Sequence, residues 1–145
     1  VLYLDIFKRC YKTHSRRARY MSSHLSKTEY KIMEYFWSTE KKYTFGELMK
    51  YFNEEEGKEW KKQTLNTFLS RLIDKGLLER KKEGTKAYYS MRLTKAEFKQ
   101  YKAKTILEED YEGKISHFIA ALTGNNAITN IDEQELLEYI LNKKR

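Results

Sequence analysis

The chain contains no proline and only one cysteine, Cys10. A lone cysteine leaves no intrachain disulfide and no cysteine-based metal site, and the simplest home for such a chain is the reducing cytoplasm. No apolar run approaches the roughly 18 residues of a membrane span. The basic–apolar–small pattern of a signal peptide is missing as well, so no stable membrane association is expected. A Gly-rich phosphate loop, a nucleophile elbow and a metalloprotease motif are all absent. His14, His24 and His117 are scattered and share no ligand spacing. The adjacent carboxylates Glu54, Glu55 and Glu56, followed by Gly57, read as a solvated loop rather than a metal cluster. The expectation is a protein without catalytic residues, metal or cofactor.

What the chain does have is positive charge, unevenly placed. At 145 residues it is long enough to bury a core. With 40 % hydrophobic and 34 % charged residues it reads as a globular chain with a wet surface. The net charge is +8, which points to a polyanionic partner. Residues 1–20 contribute +5, residues 21–60 −2, residues 61–93 +6 and residues 94–145 −1. Uniform solubilising charge would not concentrate in this way.

The second basic block opens with Trp60 to Gly76. Leu65, Phe68, Leu69, Leu72 and Ile73 fall at i, i+3, i+4, i+7 and i+8, one apolar stripe of an α-helix. At about 100° per residue, the opposite face carries Gln63, Asn66, Thr67, Ser70 and Arg71. Taken alone this is an ordinary amphipathic surface helix, or one whose amides, hydroxyls and arginine read base edges in a major groove. The neighbours decide between the two. Leu25 to Tyr30 is a capping box with a hydrophobic staple, in which Ser26 caps Glu29 and Glu29 reaches back. The same grammar recurs at Tyr43 to Leu48 and at Leu93 to Phe98. A weaker form, with Asp132 as cap, sits at Ile131 to Leu136. After the Trp60 helix, Gly76 is the expected left-handed C-terminal residue. Two strands follow, Leu77 to Glu83 and Ala87 to Leu93, joined at Gly84-Thr85 and studded with Arg80, Lys81, Lys82, Lys86 and Arg92. Helix, helix, helix, basic hairpin is the order of a winged helix.

The expected fold is therefore mostly α with a small β-hairpin. A winged helix-turn-helix DNA-binding domain, residues 21–93, precedes a helical dimerisation domain, residues 94–145. In the latter, Leu107, Tyr111, Ile115, Phe118, Ile119, Leu122, Leu136, Leu137, Ile140 and Leu141 supply apolar surface on helices too short for a core of their own. Such surface calls for a partner, most simply a second copy. Gly113 and the stretch around Gly124-Asn125-Asn126 separate these helices. Residues 1–20 form a distinct basic extension with three readings. It is an arm gripping DNA backbone, a membrane-surface helix, or translated sequence upstream of a true start at Met21.

From Leu25 onward the chain resembles the penicillinase-repressor family of transcriptional regulators (BlaI/MecI/CopY), which includes β-lactamase, methicillin-resistance and copper-responsive repressors. The resemblance rests on LSKTEYKIMEYFW, on Trp60 with TLNTFLSRLIDKGLLERKKEG, and on the AYYS strand. It implies a bacterial repressor, binding as a homodimer to an operator with dyad symmetry. Three departures stand out. Family members often carry Ser-Pro after the tryptophan, where this chain has Lys61-Lys62, losing a helix-start device and gaining two charges. The C-terminal cysteines of copper-responsive members are missing. The β-lactamase members are switched off by a sensor protease, but Ile119 to Thr123 shows no Asn–Phe bond of the type such a protease cuts.

The base-reading candidates are Gln63, Thr64, Asn66, Thr67 and Arg71. Lys61, Lys62, Lys81, Lys82 and Lys86 are the candidates for phosphate contact. Tyr88 is read either as a phosphate contact or as packing. Asp74 is expected near the helix end that points away from DNA. Double-stranded DNA and a second copy are the expected partners. The alternative is a winged-helix protein-interaction module that binds no duplex.

Overall fold

The computed structural model of the protein describes residues 24–124 and 128–143. The readings of residues 1–20, of a start at Met21 and of a loop at Asn125-Asn126 lie outside them. The described chain is helical with one small antiparallel sheet, as expected. In order come α1 (Lys27–Thr39), β1 (Tyr43–Thr44), α2 (Phe45–Lys50) running into a π-helical turn (Tyr51–Glu55), and α3 (Lys62–Asp74). The hairpin β2 (Leu78–Glu83) and β3 (Lys86–Met91) follows, then α4 (Lys95–Tyr111), α5 (Ile115–Thr123) and α6 (Asn130–Lys143).

Local chemistry sets the helix starts. At α1 the Ser26 N–H donates to Glu29 Oε2 at 2.7 Å, and the Glu29 N–H donates to Ser26 Oγ at 3.2 Å. Thr44 and Glu47 repeat the exchange at α2, at 2.7 and 3.3 Å. Thr94 and Glu97 repeat it at α4, at 2.8 and 3.2 Å. The fourth start differs from expectation. Thr129, not Asp132, is the capping residue of α6: its N–H donates to Asp132 Oδ2 at 2.7 Å and its Oγ1 accepts from the Asp132 N–H at 3.3 Å. The box is shifted by one turn, with an aspartate in the place where glutamate usually stands.

The end of α3 is a Schellman motif. Gly76 takes φ +78°, its N–H reaches Ile73 O at 2.9 Å, and the Leu77 N–H reaches Leu72 O at 3.0 Å. The acidic stretch read as a loop is in part helical: Glu54 and Glu55 belong to the π-turn that prolongs α2. A strand not foreseen, β1, pairs with β3 through Tyr43 with Tyr89 and Thr44 with Tyr88, giving the sheet order β1-β3-β2.

The chain divides into two compact units, one up to Lys102 and one from Ala103. In the first, Ile32, Met33 and Phe36 of α1, Leu48 of α2, and Leu65, Leu69 and Leu72 of α3 are fully buried together. Leu77, Leu78, Tyr89 and Leu93 close this core from the sheet side. Trp37 joins it and donates its indole N–H to Leu93 O at 2.9 Å. Phe98 and Tyr101 are buried as well, so the first two turns of α4 belong to the winged unit. In the second unit no side chain among the described residues is fully covered.

Candidate nucleic-acid interface

The polar face of α3 is built outward from its buried stripe. Leu65, Leu69 and Leu72 are inside, which leaves Gln63, Asn66, Ser70 and Arg71 exposed, with Thr64 and Thr67 half-buried at the margins. Thr67 Oγ1 donates to Gln63 O at 2.9 Å. Its hydroxyl proton is committed to its own helix, and what remains outward is the methyl group and the oxygen lone pairs. Asp74 is exposed on the last residue of the helix.

The beginning of α3 is unlike the other starts. Lys61 is the N-cap residue and provides no side-chain cap, and Lys62 is the first helical residue. The Thr64 and Leu65 N–H groups turn back to Lys61 O at 3.0 and 3.3 Å. A helix start carries partial positive charge and free donors. Here two exposed lysines stand beside it and no acidic side chain lies in the first turn. The start is held instead from the preceding residue. Asn53 accepts from the Trp60 N–H at 2.7 Å and donates to Trp60 O at 3.0 Å. The Trp60 ring lies against Phe52 and Phe68, with centroids at 5.1 and 5.5 Å.

The hairpin extends beyond the core next to α3, with β2 packed against that helix. Gly84 takes φ +61°, the left-handed value that a two-residue hairpin turn of type II′ needs at its first position. Alternation along the paired strands puts Lys81, Lys86 and Tyr88 on one face, and Arg80 and Lys82 on the face of the buried Leu78. Lys81, Lys82 and Lys86 are all exposed. Lys81 lies 3.1 Å from Glu79. Tyr88 is half-buried and covered by Lys42, whose ammonium stands 4.9 Å above its ring. The same ammonium clasps both oxygens of Glu83 at 2.7 and 2.6 Å. Lys42 therefore ties the α1–β1 connection to the hairpin, a role that nothing local in Lys41-Lys42-Tyr43 announces. Asn53, just ahead of the acidic run Glu54 to Glu56, is equally unannounced by its neighbours.

The far end of α3 is anchored electrostatically. Glu29 is buried, and its carboxylate meets Lys75 Nζ at 2.8 Å. Lys75 also donates to His24 O at 2.9 Å. Burial alone would push the Glu29 carboxyl up; the Lys75 ammonium and the Ser26 N–H outweigh it and hold the group below its ordinary value. On α1 itself, Tyr35 stacks on Tyr43 and Tyr51, with centroids at 4.9 and 3.7 Å. Burial and the hydrogen bond with Tyr43 push its phenol up, so it stays neutral.

In the second unit, Leu107, Phe118, Ile119 and Leu122 are half-buried, and Tyr111 meets Phe118 edge-on at 5.2 Å. Ile115 is 66 % exposed. Along α6, Leu136, Leu137, Ile140 and Leu141 are all exposed, Leu141 by 62 %. Among the described residues, no group of three or more His, Cys, Asp or Glu is placed to hold a metal ion. No described helix is long and apolar enough to cross a membrane.

Comparison with known proteins finds a match over nearly the whole length of the chain. The penicillinase repressor family matches residues 25–142. The chain belongs to the penicillinase-repressor family. The methicillin resistance regulatory protein MecI of Staphylococcus aureus (strain N315) is 26 % identical over 121 residues, covering 83 % of this chain and 94 % of that protein. The penicillinase repressor of Staphylococcus aureus is 27 % identical over 119 residues, 80 % of this chain and 90 % of that protein. That of Bacillus licheniformis is 26 % identical over 81 residues, 56 % of this chain and 63 % of that protein. These relatives are named as regulators, not enzymes. The Lys61-Lys62 pair that opens α3 occupies the N-cap and first helical positions.

Proposed function

We propose that this member of the penicillinase-repressor family is a sequence-specific double-stranded-DNA-binding transcriptional repressor. It acts as a homodimer on an operator with dyad symmetry. The observation that carries this reading is the construction of α3: an exposed amide, hydroxyl and arginine face on a helix whose uncapped start is flanked by Lys61 and Lys62. Gln63, Thr64, Asn66, Thr67 and Arg71 meet base edges or the adjacent phosphates. Lys61 and Lys62, with Lys81, Lys82 and Lys86 of the hairpin, contact phosphates and set the register without reading sequence. Tyr88 serves as the seat of Lys42, and packing is its main role. The apolar residues of α5 and α6 join two copies, setting two α3 helices roughly 34 Å apart or a small multiple of that. Occupancy of the promoter then blocks transcription.

The test is a gel shift and footprint with the DNA upstream of the protein's own gene. Two protected half-sites in a dyad are expected, with binding that weakens steeply as salt rises. Failure to retain any duplex at low salt would favour a protein-interaction module instead. Replacing Thr67 and Arg71 with alanine should each cost about 1–3 kcal/mol and relax base preference. If operator affinity survived both changes, α3 would not be the reading element.

A further inference from the structure

Taking α3 as the recognition helix proposed above, we infer that Asn53 is the positioning residue that fixes where this helix begins. Its carboxamide anchors the residue just before Lys61, which supplies no side-chain cap of its own. Lys61 sits in cap geometry, with φ −75° and ψ 155°, yet no side chain accepts from the first turn. Without a side-chain acceptor the first turn keeps freedom to fray, even though the Thr64 and Leu65 N–H groups bond to Lys61 O.

Asn53 removes that freedom one residue earlier. Accepting at 2.7 Å and donating at 3.0 Å, it engages both backbone groups of Trp60. A carboxamide offers a donor and an acceptor on one rigid plane. The clamp holds a costly segment, since the non-glycine Glu59 lies at φ +52°. A left-handed non-glycine residue persists where its surroundings over-determine it. The π-turn supplies the aim: Tyr51–Glu55 carries Asn53 back toward Trp60, and the Lys58 N–H closes the return on Phe52 O at 2.9 Å. With Trp60 fixed, Lys61 and Lys62 project from one defined position, and Gln63 and Thr64 follow at fixed angles. The residue just before the acidic stretch thus registers the reading head.

The test uses the full chain with Asn53→Ala and Asn53→Asp. The aspartate keeps an acceptor for the Trp60 N–H and loses the donor to Trp60 O, so it carries the measurement if the alanine variant is unfolded. Two readouts are compared, amide hydrogen exchange without DNA and operator affinity as a function of salt. Exchange of the Thr64 and Leu65 amides should quicken at least tenfold, with the amides of Leu69 and Leu72 unchanged. Operator affinity should fall at least tenfold, and the salt slope should shrink by about one to two units as Lys61 and Lys62 lose their position. A merely structural role would lower the folded fraction and leave the slope alone. Unchanged exchange at Thr64 and Leu65 overturns the clamp. Quickened exchange with unchanged affinity and slope leaves the clamp standing and overturns α3 as the DNA-reading helix.

Discussion

Lys75 and Glu29 illustrate what a buried charge demands of its neighbours. The carboxylate is inside and the ammonium is its main compensation, so Lys75→Ala strands a charge and should cost about 3 kcal/mol. Chemical denaturation of the variant measures this directly. The pH dependence has a definite sign. The Glu29 carboxyl is held below its ordinary value of 4.5, so its contribution is complete above that value and is lost as pH falls through the lower, folded value. Acid unfolding of the wild type should begin below the ordinary carboxylate range, and that of Lys75→Ala at higher pH. Coincident acid transitions would show that Lys75 carries none of the effect. Thr67 gives a second residue-scale outcome. Its hydroxyl proton is already bound to Gln63 O, so Thr67→Val, which keeps a methyl outward, should bind operator nearly as wild type, while Thr67→Ala loses affinity. Equal losses in the two variants would assign the contact to the hydroxyl oxygen instead.

Among the elements, the helix starts show where sequence is legible. Ser26 with Glu29, Thr44 with Glu47, and Thr94 with Glu97 are partners three residues apart, and such pairs can be read off the chain directly. The apolar stripe of α3 and the Gly76 end are equally local. What escaped is non-local. Asn53 acts on Trp60 across a turn whose π-helical winding has no signature in the acidic composition. Lys42 reaches Glu83 forty-one residues away, and β1 exists only because β3 returns beside it. At Thr129 the composition allows two frames, because Asp132 is itself a good cap, and only the backbone chooses between them. The uncapped start of α3 yields a further expected outcome. Lys61→Ser should add about 1 kcal/mol of stability by restoring a cap. It should also lower the salt slope of operator binding by about 0.9 through the loss of one phosphate contact. A gain in stability with an unchanged slope would remove Lys61 from the interface.

At the scale of the whole molecule, α6 is the helix with the most uncovered apolar surface among the described residues. Leu137 and Leu141 are each more than half exposed on a helix that also leaves Leu136 and Ile140 uncovered. Leu137→Glu with Leu141→Glu should turn the proposed homodimer into a monomer in sedimentation equilibrium. The winged unit should keep its own melting transition, since its core is complete without these residues. Operator affinity should then drop by orders of magnitude, because two linked half-sites become two independent ones. A dimer that survived the double change would move the interface elsewhere.

The two tryptophans, finally, give the protein a built-in optical readout with two separate channels. Trp37 is sealed in the core with its indole N–H bound to Leu93 O, whereas Trp60 is half-buried beside the first turn of α3. Collisional quenchers should reach Trp60 and spare Trp37 in the free protein. DNA should shield the first without altering the second, and only unfolding should open both. Trp60→Phe and Trp37→Phe would assign the channels, so that docking and folding could be followed in one unlabelled sample.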